Sequence, residues 1–425
     1  MSIKVITTKV CIIGAGPAGL TIANILTKYG IACIVIEKYS QSEIYSRSRA
    51  GLIDYKTISI LQEHGLDDRL LKFGKSHSKC EFRTPQQSFV LNYSQLSGNQ
   101  THYTYPQQDL LADLIYKFQQ SDGEILFNTQ AITVENERFG ATVHCQQGEQ
   151  DLIVKSDFIA GCDGFHGVSR SLMPESVTQP QTTPYNYAWL AITAEAAPST
   201  DHIIYGIHPR GFAGHMLRTS TISRYYLQIP LEDTAADWSS DRIWAELQLR
   251  LAKDNWTLTE GKIIEKRVLT MRSFFTQRMQ HKSIFLAGDA AHIMTPAGGK
   301  GMNLAIQDAD VLGKSFVYYY RHHNNVPLKN YSASRLPEIR QALEFSESLL
   351  HTINTQFGDN NQENKLRLLQ KFKLSQLMGS PSYARDFSRK YVGYVANAET
   401  IPTQSPDTDC LPEITSTKLK PLVIV

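Results

Sequence analysis

Lys9-Val-Cys-Ile-Ile-Gly14-Ala-Gly16-Pro-Ala-Gly19 decides the fold. Lys9 to Ile13 is an apolar run without alternation, the pattern of a strand covered on both faces. Gly14 permits a tight turn, Gly16 lets the backbone approach a pyrophosphate, and Gly19 lets the following helix lie close to the strand. Pro17 suits the first helical turn, Leu20, Ala23, Leu26 and Thr27 carry the helical period, and Gly30 stops it. Ala32 to Ile36 is a second apolar run and ends at Glu37, at the right distance to accept hydrogen bonds from an adenosine ribose. The helix N-terminus would present free N–H groups and its positive dipole end to phosphates. This βαβ unit predicts a dinucleotide site without separating NAD from FAD.

Two further acids narrow that choice. Cys162-Asp163-Gly164 follows the apolar run Asp157 to Ala160, and Gly288-Asp289 follows Ser283 to Leu286. Each places an acid at the carboxyl end of a strand, where α/β sheets bind ligands. Asp289 is placed to accept from a ribityl hydroxyl of a flavin. A long helix from about Gly301 to Tyr320 would aim its N–H groups at the flavin pyrimidine, which gains negative charge on reduction. Singly, each pair is a common turn; in this order they point to FAD.

The intervening chain is expected to be helical from Arg47 to Leu71, strand-like from Ser78 to Tyr93, and helical again from Tyr105 to Gln119. Glu124 to Phe127 and Ala141 to Gln146 read as strands. Pro184 to Ile264 is rich in β-branched and aromatic residues with period-two stretches such as Arg224-Tyr-Tyr-Leu-Gln-Ile-Pro230, a separate sheet covering the ligand. Helices follow to about Leu377. The fold class is α/β: a Rossmann-like FAD-binding domain (1–75, 98–180 and 265–345), an inserted β-sheet substrate domain (76–97 and 181–264), a C-terminal helical region (346–394) and a loosely ordered tail (395–425).

With 425 residues, 43 Lys plus Arg against 41 Asp plus Glu, and 42% hydrophobic residues, the chain reads as an ordinary globular protein. The near-cancelling charge gives no field for nucleic acid or an anionic membrane. The six cysteines include no Cys-x-x-Cys pair, so the sequence predicts free thiols and no metal site. No apolar run approaches transmembrane length, and the expected location is the cytoplasm.

Longer stretches carry a resemblance: Arg47-Ser-Arg-Ala-Gly51, Ala160-Gly-Cys-Asp-Gly-Phe-His-Gly167, His208-Pro-Arg-Gly-Phe-Ala213, Ser223-Arg-Tyr-Tyr226, Arg272-Ser-Phe274, Phe285-Leu-Ala-Gly-Asp-Ala-Ala-His292 and Tyr391-Val-Gly393. The sequence resembles the single-component flavoprotein aromatic hydroxylases, and within them the members acting on 4-hydroxybenzoate, from the N-terminus to about Tyr394. The resemblance implies FAD, reduction by NADPH or NADH, and insertion of one atom of O2 ortho to the phenol of a small aromatic acid through a C4a-hydroperoxyflavin. It implies flavin contacts for Arg47, Arg49, Gln107, Asp163, Asp289 and Asn303, and nicotinamide contacts for His166 and Arg272. Arg218 and Tyr226 would hold the substrate carboxylate. The phenol would face Tyr205, which passes a proton to Tyr391 and on toward His77, a group able to exchange protons with solvent near neutral pH. The carbonyl of Pro296 would line the same pocket. By analogy the protein would be a homodimer.

Three positions depart from the family pattern. Met216 stands where a serine helps hold the carboxylate, and Ala297 replaces a threonine beside Pro296. Glu43 occupies the place of a tyrosine in the loop linked to nicotinamide choice, where it should repel the extra phosphate of NADPH while Lys38 attracts it. A related hydroxylase for a different aromatic, and a non-catalytic flavin-binding protein, are the alternatives. A halogenase of similar fold would carry a Trp-x-Trp-x-Ile motif, which Trp189, Trp238, Trp244 and Trp256 do not form.

Overall fold

The computed structural model describes residues 3–47, 49, 51–137, 140–355 and 361–393, with the side chains of 361–363 excepted. The expected tail lies outside them.

Lys4–Ile13 is the central strand of a largely parallel sheet. Cys33–Ile36 and then Glu124–Leu126 lie in parallel on one side, and Gln150–Gly161 and then Ile284–Leu286 on the other. The hydrophobic half of the first strand, Val10 to Ile13, is at most 3% exposed, because helix Pro17–Lys28 packs over it and the long helix Lys300–His322 packs on that helix. Thr129–Asn136 and Ala141–Gln147 form an antiparallel extension on Gln150–Gly161. Its first strand escaped the sequence reading because its polar and apolar residues do not alternate cleanly.

A second sheet of eight strands contains, in spatial order, Lys262–Phe275, Gln181–Glu195, Ser223–Pro230, Gly211–Leu217, Ile203–His208 and Cys80–Arg83 between its two edge strands. Both faces are buried. Trp189, Tyr205, Phe212 and Tyr226 face one core, whereas Leu190, Ile204, Ala213 and Leu227 face another. Helix Ser240–Arg250 covers the second face with Ile243, Trp244 and Leu247. This helix interrupts the stretch Pro184 to Ile264 that the sequence pattern assigns to a sheet. Helices Tyr331–Ile353 and Pro381–Tyr391 contribute Phe345, Leu349 and Tyr391 to the first core, with Leu374 and Leu377 of the helix between them.

The expected helix from Arg47 to Leu71 is corrected. Helix Gln41–Ser46 ends at Arg47, Leu52–Ile53 pairs with Tyr103–Thr104, and only then do helices Tyr55–His64 and Asp68–Phe73 form. Asp54 explains the late start: its carboxylate accepts from the Thr57 N–H at 2.9 Å and caps the helix there. Lys75–His77 completes this small three-stranded sheet on the other side of His102–Thr104.

Candidate active site

The glycine turn and the first strand-end acid are built against each other. Gly14 has φ +106°, and a Cβ there would lie 2.4 Å from the Cys162 carbonyl oxygen; a Cβ on Gly19 would lie 2.0 Å from the Gly14 oxygen. Side chains are therefore excluded at both points, while the space beside Gly16 is open. Glu37 reaches back to the turn, accepting from Ala15 N–H at 2.7 Å and from Tyr39 N–H at 3.0 Å. Asp163 accepts from the Ser169 N–H and hydroxyl at 2.9 and 3.0 Å through one oxygen, and its other oxygen is buried without a partner. Burial raises its pKa against those bonds.

Asp289 sits exposed in the turn Gly288–Ala290. Beneath it lies a buried ion network absent from the sequence reading. Asp308 accepts from Gly288 N–H at 3.0 Å, pairs with His292 at 2.6 Å and with Arg335 at 2.7 Å. Burial opposes the Asp308 charge, but His292 and Arg335 outweigh it and lower the pKa. A sequence signal existed only as unrelated charges on three elements. Asn303 is committed to protein: its amide accepts from Asp54 N–H at 3.0 Å and donates to the Leu52 and Gly299 carbonyls at 2.9 and 2.6 Å. It shapes the start of the long helix. Gln107 is buried at the start of helix Gln107–Gln120, and Arg49 is exposed.

Arg47 stacks on the Tyr39 ring at 3.4 Å and Lys38 lies 4.9 Å from the same ring. Glu43 is engaged locally: its carboxylate accepts from the Ser40 N–H and hydroxyl, both at 2.8 Å, in a capping box that lowers its pKa. His166 and Arg272 are both exposed and meet at one ring, Phe165, at 5.0 and 4.2 Å.

A narrow cleft of about 70 Å³ opens between the second sheet and the loops at Gly51 and Pro296 to Gly299. Strand register builds its wall. Tyr205 pairs with Gly214, and Gly214 with Tyr226, so the two tyrosines share one row and one face with a side-chain gap between them. Phe212 and Met216 fill that gap: the Phe212 ring comes within 2.9 Å and the Met216 methyl within 3.3 Å of where a Gly214 Cβ would stand. Arg218 lines the cleft at 7% exposure and donates to the Gln108 side chain at 3.2 Å. Burial and then the neighbouring Arg224 lower its pKa. Arg224, not singled out from sequence, also lines the cleft and is paired with Glu265 at 3.0 Å. Pro296 and Ala297 complete the opposite side.

The Tyr205 and Tyr391 hydroxyls are 2.8 Å apart. Burial raises both pKa values, holding the two phenols neutral. His77 is corrected in two respects. The resemblance makes it a group that exchanges protons with solvent near neutral pH; the structure buries it to 5% exposure, and burial lowers its pKa to about 4. Tyr93 and His102 lie between it and Tyr391, their rings 5.0 and 4.7 Å from that of Tyr391. Tyr93 bonds His77 Nδ1 at 3.0 Å, and the Tyr391 carbonyl accepts from His102 at 3.0 Å and from Lys300 at 2.7 Å. Neither Tyr93, His102 nor Lys300 was legible as part of the site, because their proximity comes from chain crossings far apart in sequence.

The residues fit FAD on structural grounds: a side-chain-free turn with open space at Gly16, a buried unpartnered oxygen on Asp163, and an exposed acid at Asp289. Comparison with known proteins agrees. The model of the family described as FAD binding domain matches residues 7–346. The chain is 33% identical to p-hydroxybenzoate hydroxylase of Acinetobacter baylyi over 91% of this chain and 95% of that protein. It is 25% identical to a 3-(3-hydroxy-phenyl)propionate/3-hydroxycinnamic acid hydroxylase of Mycolicibacterium smegmatis, over 79% of this chain and 60% of the relative. Its fold matches the crystal structure of p-nitrophenol 4-monooxygenase from Pseudomonas putida with a TM-score of 0.77, at 17% identity, over 93% of this chain and 100% of that one. The chain thus belongs to the FAD binding domain family, as an FAD-dependent aromatic hydroxylase similar to p-hydroxybenzoate hydroxylase.

Proposed function

We propose that the protein hydroxylates a phenolic aromatic acid of the 4-hydroxybenzoate type, ortho to the phenol, with NADPH or NADH and O2. One observation carries this reading: a single cleft has a buried arginine, Arg218, and a hydroxyl pair, Tyr205–Tyr391, among its wall and immediate surroundings.

Arg218 and Tyr226 bind the carboxylate, the guanidinium contributing charge and donors in a fixed plane. Tyr205 meets the phenol and passes its proton to Tyr391, and phenolate character raises electron density at the ortho carbon. Fixing both ends of the ring selects which carbon reacts, and orientation of this kind can supply several powers of ten in rate. FAD, when bound, supplies the reducing equivalents and the activated oxygen. It would be held by the Gly14–Gly19 turn, Glu37, Arg47, Arg49, Gln107, Asp163 and Asp289, with Asn303 setting the helix start beside it. His166, Arg272 and Lys38 bind the nicotinamide cofactor, and Glu43 disfavours the extra phosphate of NADPH, giving relaxed choice between the two.

The test is anaerobic stopped-flow reduction of the purified holoprotein by NADPH and by NADH, with and without 4-hydroxybenzoate. Substrate acceleration with both cofactors is expected. No acceleration by 4-hydroxybenzoate, but acceleration by another ring acid, favours the second reading, a related hydroxylase for a different aromatic; Met216 and Ala297 support that alternative.

A further inference from the structure

Two buried arginines line the cleft, and their charges are in different states. Arg224 is committed to the protein: it pairs with Glu265 at 3.0 Å and also donates to the Thr193 hydroxyl. Arg218 has no such anion. Among the described residues its one hydrogen-bond partner is the Gln108 side chain, whose Oε1 accepts from Nη2 at 3.2 Å. Gln108 is half-buried in the first turn of helix Gln107–Gln120. The adjoining Asp109 is exposed and attracts Arg218 without forming an ion pair with it. A buried guanidinium that lacks a paired carboxylate is costly, and a ligand that brings the missing charge removes that cost.

We propose that Gln108 is a specificity-determining residue: it positions Arg218 through a neutral bond and so keeps the guanidinium charge for the carboxylate of an aromatic acid. The inference rests on the functional reading above, in which Arg218 grips that carboxylate. A glutamine oxygen orients the guanidinium by accepting one of its hydrogens but brings no negative charge. A carboxylate in the same place would orient it equally well and neutralise it. An incoming anion would then meet a paired arginine and a repelling oxygen. Arg224 with Glu265 is that second case inside the same cleft. The two arginines thus divide the work, one as a structural cation and the other held ready for a ligand. Holding the guanidinium in place beforehand also spares the side-chain entropy that binding would otherwise cost. Met216 supplies no donor at this end of the cleft, so recognition of the acid depends the more on Arg218.

Gln108→Glu and Gln108→Met separate charge from positioning. Both replacements keep the side-chain length, and a glutamate in the first turn of a helix favours the fold. The FAD-loaded protein is titrated at neutral pH with 4-hydroxybenzoate and with the uncharged 4-hydroxybenzamide, following the flavin absorbance, and the ratio of the two Kd values is read. Wild type is expected to favour the acid by about tenfold or more. Q108E should lower that preference by about tenfold, through weaker binding of the acid with the amide little changed, and Q108M by about threefold. A preference in Q108E equal to that of wild type overturns the proposal. So does an equal loss for both ligands, the result expected of a purely structural residue. An unchanged preference in Q108M shows that Arg218 needs no holding and overturns it too. Wild-type protein that binds acid and amide equally well overturns the functional reading together with the proposal, since no charge in the cleft would then read the acid.

Discussion

Met216→Ser asks whether the cleft recognises a carboxylate. Met216 and Arg218 are two residues apart along one chain segment that lines the cleft, and the Met216 methyl shares with the Phe212 ring the gap in the Tyr205–Gly214–Tyr226 row. A thioether donates no hydrogen bond. Serine would add one donor near the anion-binding end and free the space held by the methyl. A hydrogen bond to a charged group contributes about 1.5–3 kcal/mol. Loss of the apolar contact of the half-buried methionine offsets part of this, leaving about 1–1.4 kcal/mol, or about a five- to tenfold lower Kd. Titrating the holoprotein with 4-hydroxybenzoate, following the flavin absorbance, measures it. The uncharged 4-hydroxybenzamide should gain less. A Kd for 4-hydroxybenzoate unchanged within twofold, or an equal gain for the amide, refutes carboxylate recognition at this end of the cleft.

Gly19→Ala places a methyl where the Gly14 oxygen stands 2.0 Å away, so the helix must move off the strand; FAD retention, read as the ratio of flavin to protein absorbance, should fall at least tenfold, and full retention would remove the close-packing argument. Asp308→Ala removes one of the two carboxylates paired with Arg335, which is 2% exposed and keeps Glu338, and the carboxylate partner of His292. Breaking such a buried pair costs about 3–5 kcal/mol, seen as a lower denaturant midpoint at unchanged slope, and a loss below about 1 kcal/mol would show the network is not stabilising. Stability should also fall on acidification. His77 and His215 have pKa values lowered to about 4 by burial; above pH ~6.5 neither state binds the proton, whereas below it the unfolded chain does first. Each should therefore cost about 2 kcal/mol by pH 5. His202 opposes this, since its bonds to Glu81 and Asp201 outweigh burial and raise its pKa. Denaturant midpoints at pH 7 and 5 that coincide, or a His215→Gln variant with an unaltered pH slope, would contradict the assignment.

Local pattern was enough for the nucleotide half of the molecule. The continuous apolar run to Ile13, the glycine spacing and Glu37 specify a covered strand, a turn and a helix through backbone sterics alone, and those constraints act over fewer than thirty residues. Asp163 and Asp289 were readable for the same reason, each being an acid directly after a strand. The aromatic segments between Pro184 and Ile264 likewise announced a sheet through period-two alternation. The row that sets Tyr205 beside Tyr226 was not readable, because register across three strands depends on pairings that no single segment encodes. Nor was the burial of His77: Lys75 and Ser76 beside it stay exposed, and only the Tyr93 and His102 rings packed against it take His77 out of water. Sequence determined which backbone could cradle a phosphate, since that requirement is met by neighbours in the chain. Tertiary structure decided which tyrosines meet and which histidines lose contact with water, since those outcomes are fixed by segments nearly three hundred residues apart closing over one another.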